Sequence, residues 1–184
     1  RGLGDVYKRQ EERGVEHKNP IVIEGLPDVG LVGAIAASYI VEKMKYNEIG
    51  HIESDLFPPV MVIHGGKLKS PLCLYGNEEV IVVSSEIAIP PNAVYPLTRT
   101  LADWFSSINA ALVISITGLP VKNRMDIEKP EVFAVGNSEE ALKELKAKRV
   151  ELLQEGFIAG TYAIMLRECH KRELNAISLL AQCF

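Results

Sequence analysis

Three cysteines in 184 residues, with no Cys-x-x-Cys among them, leave the chain without the ligand spacing of a zinc site and without a disulfide framework. Cys73, Cys169 and Cys183 are odd in number and far apart, which fits a reduced, cytoplasmic setting. Positive charge is not gathered anywhere either. The 20 lysines and arginines are interspersed with 24 aspartates and glutamates and the net charge is −4, so neither a nucleic-acid backbone nor an anionic membrane is the expected partner. The longest apolar run, Leu31 to Val41, is interrupted by Ser38 and followed by Glu42-Lys43, well short of a membrane span. No secretory signal opens the chain.

Catalytic signatures are equally scarce. There is no Gly-x-Ser-x-Gly elbow to anchor a hydrolase triad. His17, His51, His64 and His170 share no ligand spacing, and no metal is expected. The stretch "IEGLPDVGLVGA" (23–34) places Gly25 and Gly30 at the spacing of a phosphate loop, but Leu31 and Val32 stand where the lysine and the hydroxyl would be. The dinucleotide fingerprint fails as well, because the residue two before Gly30 is Asp28, a carboxylate that would repel a phosphate at the helix entrance. Gly25, Pro27, Asp28, Gly30 and Gly33 therefore read as a structural turn. Asp28 is expected to cap the helix, and the glycines, with alanines at 34, 36 and 37, to let it lie close on its neighbours. No cofactor is expected.

What is present is the composition of one globular domain, 47% hydrophobic and 24% charged. Ile21 to Glu24 reads as a strand, and Val29 to about Lys45 as a helix with Leu31, Ala34, Ile35, Ser38 and Val41 or Glu42 on one face. Ile49–Ser54, Val60–His64, Leu72–Tyr75 and Val80–Ser84 read as strands of an antiparallel meander turning at Gly65-Gly66 and Gly76-Asn77. A second helix is expected after an Asn92 cap, with Leu97, Leu101, Trp104, Phe105 and Ile108 inward. Ala111–Ile116, "ALVISI", is apolar on both faces, as a central strand covered on two sides is, and Val132–Val135 is another strand. Ser138 caps a charged helix, and Gly156 to about His170 forms the last, with Ala159, Tyr162, Ala163 and Leu166 inward. Strands alternating with helices predict an α/β, three-layer sandwich with a mixed sheet.

Residues 19–184 form the expected domain. The opening "RGLGDVYKRQ" (1–10) shares nothing with the pattern after it, resembles adapter sequence and is expected to pack on nothing. At the other end, the apolar segment Ala176–Ala181 stops three residues before the terminus, so the domain is expected to lack its C-terminal part. In α/β sheets ligands sit beyond the carboxyl ends of the strands, where Asp28, Glu86, Asn123 and Arg124 form a candidate crevice for acid–base work on an anionic substrate.

Five segments in order, "IEGLPDVGLVGAIAASYIVEKM", "IESDLFPPVMVIHGG", "SSEIAIPP", "ITGLPVKNR" and "EGFIAGTYAIMLRE", resemble the proteasome assembly chaperone family, particularly its archaeal members. The resemblance runs from about Pro20 to the end. It implies an α/β sandwich similar to the nucleoside phosphorylase and peptidyl-tRNA hydrolase folds without their catalytic residues. It also implies a non-enzymatic chaperone or adaptor, a homo-oligomer, that binds proteasome α-type subunits through a C-terminal tail ending hydrophobic-Tyr-any residue. This chain ends Gln182-Cys183-Phe184, with cysteine at the tyrosine position, so no docking residue is carried over. The alternative is a small-molecule enzyme of phosphorylase-like fold acting on an anionic substrate.

Overall fold

The structure, a computed structural model, describes residues 7–11, 17–122 and 124–184. Among them the chain forms β1 (Tyr7–Glu11), β2 (Ile21–Gly25), α1 (Val32–Met44), β3 (Asn47–Ser54), β4 (Val62–His64), β5 (Lys67–Lys69), β6 (Leu72–Gly76) and β7 (Val80–Ser85). Then follow α2 (Pro91–Ser107), β8 (Leu112–Pro120), β9 (Val132–Gly136), α3 (Glu139–Ala147), β10 (Glu151–Leu152), α4 (Thr161–Lys171) and β11 (Ala176–Cys183).

Nine strands make one mixed sheet in the order β1-β3-β6-β7-β2-β8-β11-β9-β10. The inner four, β7-β2-β8-β11, are parallel, and antiparallel strands flank them. Strands buried on both faces must be apolar throughout, which is how Ile21–Ile23 and Leu112–Ile114 are written. One face carries α2 and α4, packed on each other over Val22, Leu72, Leu74, Ile81, Val83 and Val113. The other carries α1, over β2 and β8, and α3, over Leu112, Ala134 and Ile177. This is a three-layer α/β sandwich.

Several expectations are corrected. The backbone of Tyr7–Gln10 pairs antiparallel with β3, Tyr7 opposite Ser54, so these residues do pack on the domain; residues 1–6 lie outside the described residues. The meander is β3-β6-β7, whereas β4 leaves it to pair with β5, a strand too short to read, across Gly65-Gly66 at φ 57° and 77°. Helix α2 begins at Pro91, whose fixed φ suits a first helical position, and Asn92 is inside it rather than its cap. Ser138 does cap α3, its Oγ accepting from the Ala141 amide at 3.1 Å.

Helix α1 holds the largest surprise. It starts at Val32, after a 3-10 turn over Val29–Leu31, and its buried positions are Gly33 and Ala37. The face carrying Leu31, Ile35 and Ser38 is turned outward, with Ile35 64% exposed.

Candidate functional site

The carboxyl ends of β7, β2, β8 and β11 lie along one edge of the sheet, where parallel sheets present ligand-binding loops. The turn from Gly25 to Gly33 closes much of that edge. A Cβ on Gly33 would stand 2.2 Å from the Ile116 carbonyl oxygen, and one on Gly25 would stand 2.4 Å from the Ala37 Cβ. Gly30, at φ 66°, meets Cys183 Sγ, and Gly118 approaches both Cys183 Sγ and the Val29 carbonyl. These glycines serve chain-on-chain contact, because no larger residue fits between α1, its entry turn and the two strands beneath.

Asp28 occupies the entry position without capping it: its side chain makes no bond to the helix amides. Its carboxylate accepts instead from the Thr117 hydroxyl of β8, and its Oδ1 has no partner among the described residues. This corrects the expected cap. The neighbouring strand offers a neutral donor deep in the edge, and the carboxylate turns down to it. Burial, opposed by the Thr117 hydrogen bond, pushes the Asp28 carboxyl above its ordinary value.

One row further into the sheet lies a polar set that sequence reasoning missed. Glu24 of β2 faces Ser115 of β8, and Ser115 faces Ser178 of β11, in direct register and on the α2/α4 side. Glu24 is 2% exposed, and its Oε2 accepts from Ser115 Oγ at 2.6 Å. Glu24 Oε1 and Ser178 Oγ have no partner among the described residues. Burial raises the Glu24 carboxyl to about 7; the Ser115 hydrogen bond works against this and the nearby Asp28 charge with it. On α4, burial and then Glu24 push the Cys169 thiol up to about 12, so it is an inert core residue. The available signal was a carboxylate inside an apolar strand with β-strand text on both sides.

The other members of the candidate crevice are placed apart. Glu86 is exposed and lines a groove of about 580 Å³ beside α1 with Pro27, Leu31, Ile35 and Tyr39. Arg124 donates to the Ile127 carbonyl at 3.0 Å and stacks 5.4 Å from the Phe184 ring. Asn123 lies outside the described residues. The Cys183 thiol is raised by burial and by Asp28 and lowered by Arg124, so those two charges flank it while Glu86 lies on the groove. Trp104 and Phe105 are core, with ring centroids 5.5 Å apart. Among the described residues no group of three or more His, Cys, Asp or Glu is placed to hold a metal ion, and no helix is long and apolar enough to cross a membrane.

A separate charged set joins α2 to α4. Glu168, buried between them, accepts from Arg167 at 2.9 Å, Lys171 at 3.0 Å and Arg172 at 3.0 Å. Burial alone would raise its carboxyl, but hydrogen bonds from Arg172, Lys171 and Arg167 outweigh it and hold the group at about 2. Arg172 also reaches Asp103 of α2 at 2.8 Å, which makes the set a strap across the helix pair.

Comparison with known proteins gives a consistent set of matches. A family model described as the PAC2 family matches residues 22–184. An uncharacterised protein of Methanocaldococcus jannaschii is 33% identical over 178 residues, which cover 97% of this chain and 72% of the relative. The crystal structure of Pyrococcus furiosus PbaA, described as an archaeal homolog of proteasome-assembly chaperone, superposes with a TM-score of 0.89 at 32% identity, covering 97% of this chain and 73% of that one. A protein of unknown function from Thermoplasma acidophilum superposes with a TM-score of 0.80 at 30% identity, covering 91% and 68%.

Proposed function

Because this chain belongs to the PAC2 family, we propose that it is a non-enzymatic, cytoplasmic chaperone or adaptor that binds proteasome core-particle subunits of the α type and assists their assembly. The observation that carries the reading is the likeness to PbaA over nearly the whole chain, in fold and in sequence together. The edge of the sheet is consistent with it: glycines and Cys183 fill with protein contacts much of the space a substrate would take in an α/β enzyme. Docking is assigned to a C-terminal tail of the hydrophobic-Tyr-any kind on a longer form of the chain. Such a tail works by a few anchor groups in a preformed pocket. A homo-oligomer presents several tails at once, which raises avidity by roughly two to four orders of magnitude.

One observation favours a second reading. A carboxyl that titrates near neutrality at the carboxyl ends of parallel strands has the property a general acid–base needs. Glu24 is sealed in the core, however, and the anion-binding partner that an enzyme reading requires, Arg124, is engaged with Ile127 and Phe184. A pull-down with archaeal proteasome α-type subunits tests the first reading, comparing this chain with a form extended past Phe184 to carry the tail. Binding by the extended form and weak binding by this chain is expected. Equal binding by both would place recognition on the globular body, and binding by neither would overturn the chaperone reading.

A further inference from the structure

The polar row beneath α4 spans three parallel strands, and its hydrogen bonding stops halfway across. Ser115 of β8 donates to Glu24 Oε2 of β2 at 2.6 Å. Ser178 of β11, the next residue in register, is bonded to neither of them. Ser178 is fully buried and Glu24 is 2% exposed, so neither Ser178 Oγ nor Glu24 Oε1 reaches bulk solvent. Both atoms lack a partner among the described residues. A buried polar atom left unmatched is costly enough that folded proteins nearly always satisfy it.

The dimensions of the row say what can satisfy both atoms at once. Neighbouring strands lie about 4.8 Å apart, and side chains in register on one face keep roughly that spacing. That is too far for Ser178 Oγ to bond directly to Ser115 Oγ. Glu24 starts from the strand beyond, and its other oxygen is held at Ser115. Two hydrogen bonds of about 2.8 Å meeting at a single oxygen span up to roughly 5.5 Å. A group with one oxygen, able both to donate and to accept, therefore matches the interval between the serine and the carboxyl. The residues around it are small: Ser115, Ser178 and Cys169 of α4, which lies close enough to Glu24 for that charge to raise its thiol.

We propose that Glu24 Oε1 and Ser178 Oγ hold one internal water molecule, which completes a hydrogen-bonded chain across β2, β8 and β11. When Glu24 carries its proton, Oε1 donates it to the water and the water donates to Ser178 Oγ. When Glu24 is ionised, the water donates to both. Cys169 Sγ, a weak acceptor, is a third partner on the helix side. Internal waters make about three such bonds, and proteins hold about one per 27 residues, so a domain of this size has several to place at its buried polar atoms. Asp28 is the other charge facing Glu24, and it stays with Thr117, nearer the edge of the sheet. The water gives the buried carboxyl a structural occupation in place of acid–base work on a substrate.

A crystal structure of the unaltered chain at atomic resolution tests this directly. The expected result is a single density peak about 2.6–3.2 Å from both Glu24 Oε1 and Ser178 Oγ. Direct contact between those two atoms, or separate protein partners for each with no peak between them, would overturn the proposal. In solution, oxygen-17 magnetic relaxation dispersion counts long-resident waters without interference from exchanging hydroxyl hydrogens. Ser178→Ala removes one anchor and should hold one fewer such water than the unaltered protein. An equal count in a folded Ser178→Ala variant would show that the serine does not hold the water and would also overturn the proposal. Should that variant not fold, the density of the unaltered chain still decides.

Discussion

Replacing Glu24 by glutamine removes the one carboxyl in the central row of the core, and the consequence is a change in how stability depends on pH. The ordinary value for glutamate is 4.5, and burial carries Glu24 to about 7. Between those values the folded protein holds a proton that the unfolded chain has released. Stability contributed by this proton is complete below pH 4.5, declines as pH rises and is gone above pH 7. At about 1.4 kcal/mol per pH unit, the full difference is roughly 3 kcal/mol. About 2.5 kcal/mol of it falls between pH 5 and pH 8. Asp28 is raised too, so it adds a slope of the same sign, but it is present in both proteins and drops out of the comparison to first order.

Glutamine keeps the shape and an oxygen to accept from Ser115, but it places an amide at the atom that lacks a partner. An unsatisfied buried amide costs about 1–3 kcal/mol, so the absolute stability of the variant at one pH is a poor test. The pH dependence is a clean one. Urea unfolding followed by the fluorescence of Trp104, the single tryptophan and a core residue, would be measured from pH 5 to pH 8 for both proteins. The variant is expected to lose about 2.5 kcal/mol less than the unaltered protein across that range. If the two curves run parallel, Glu24 does not hold a proton in the fold, and the account of the central row is wrong.

Gly33→Ala should destabilise by about 1–3 kcal/mol in the same assay, because the added carbon meets the Ile116 carbonyl at 2.2 Å and α1 must lift off the sheet. A variant as stable as the parent would show that the contact is looser than described. Glu168→Gln should cost about 1–2 kcal/mol at pH 7, after allowing for the solvent that screens its half-exposed partners. Glu168 is lowered, so its contribution is present above pH 4.5 and lost as pH falls toward 2; the difference between variant and parent should close over that interval.

Much of the fold was legible in the order of strands and helices, and the exceptions have physical causes. β2, β7 and β8 read correctly because strands covered on both faces carry apolar residues on both, here in the runs Ile21–Ile23, Val80–Val83 and Leu112–Ile114. Helix α1 read with the wrong face inward because apolar periodicity weighs large side chains, and here the buried face is built of Gly33 and Ala37. The contact over β8 is so close that only the smallest residues fit, which leaves Leu31 and Ile35 on the outside. Helix α2 began earlier than expected because Pro91 sets the first turn without a side-chain cap. The strands β5 and β10 are three and two residues long and carry no periodicity to detect. Of the candidate crevice, the parallel neighbourhood of the strands was legible and the direction of each side chain was not. Asp28 turned to Thr117, a partner 89 positions away in sequence, Glu86 to the groove beside α1, and Arg124 back onto its own loop at Ile127.

The two inversions, a carboxylate in the core and large apolar side chains on the surface, meet at the same turn. Gly30 and Leu31 both have positive φ, and that double reversal lets the chain drop from β2 onto Gly118 and Cys183 before α1 begins. The descent carries Asp28 down beside Thr117, where it adds its charge to the environment that keeps Glu24 protonated. The same descent swings Leu31 outward to form the wall of the α1 groove. A single backbone feature therefore sets both the carboxylate beside the buried polar row and the apolar wall of the outward groove.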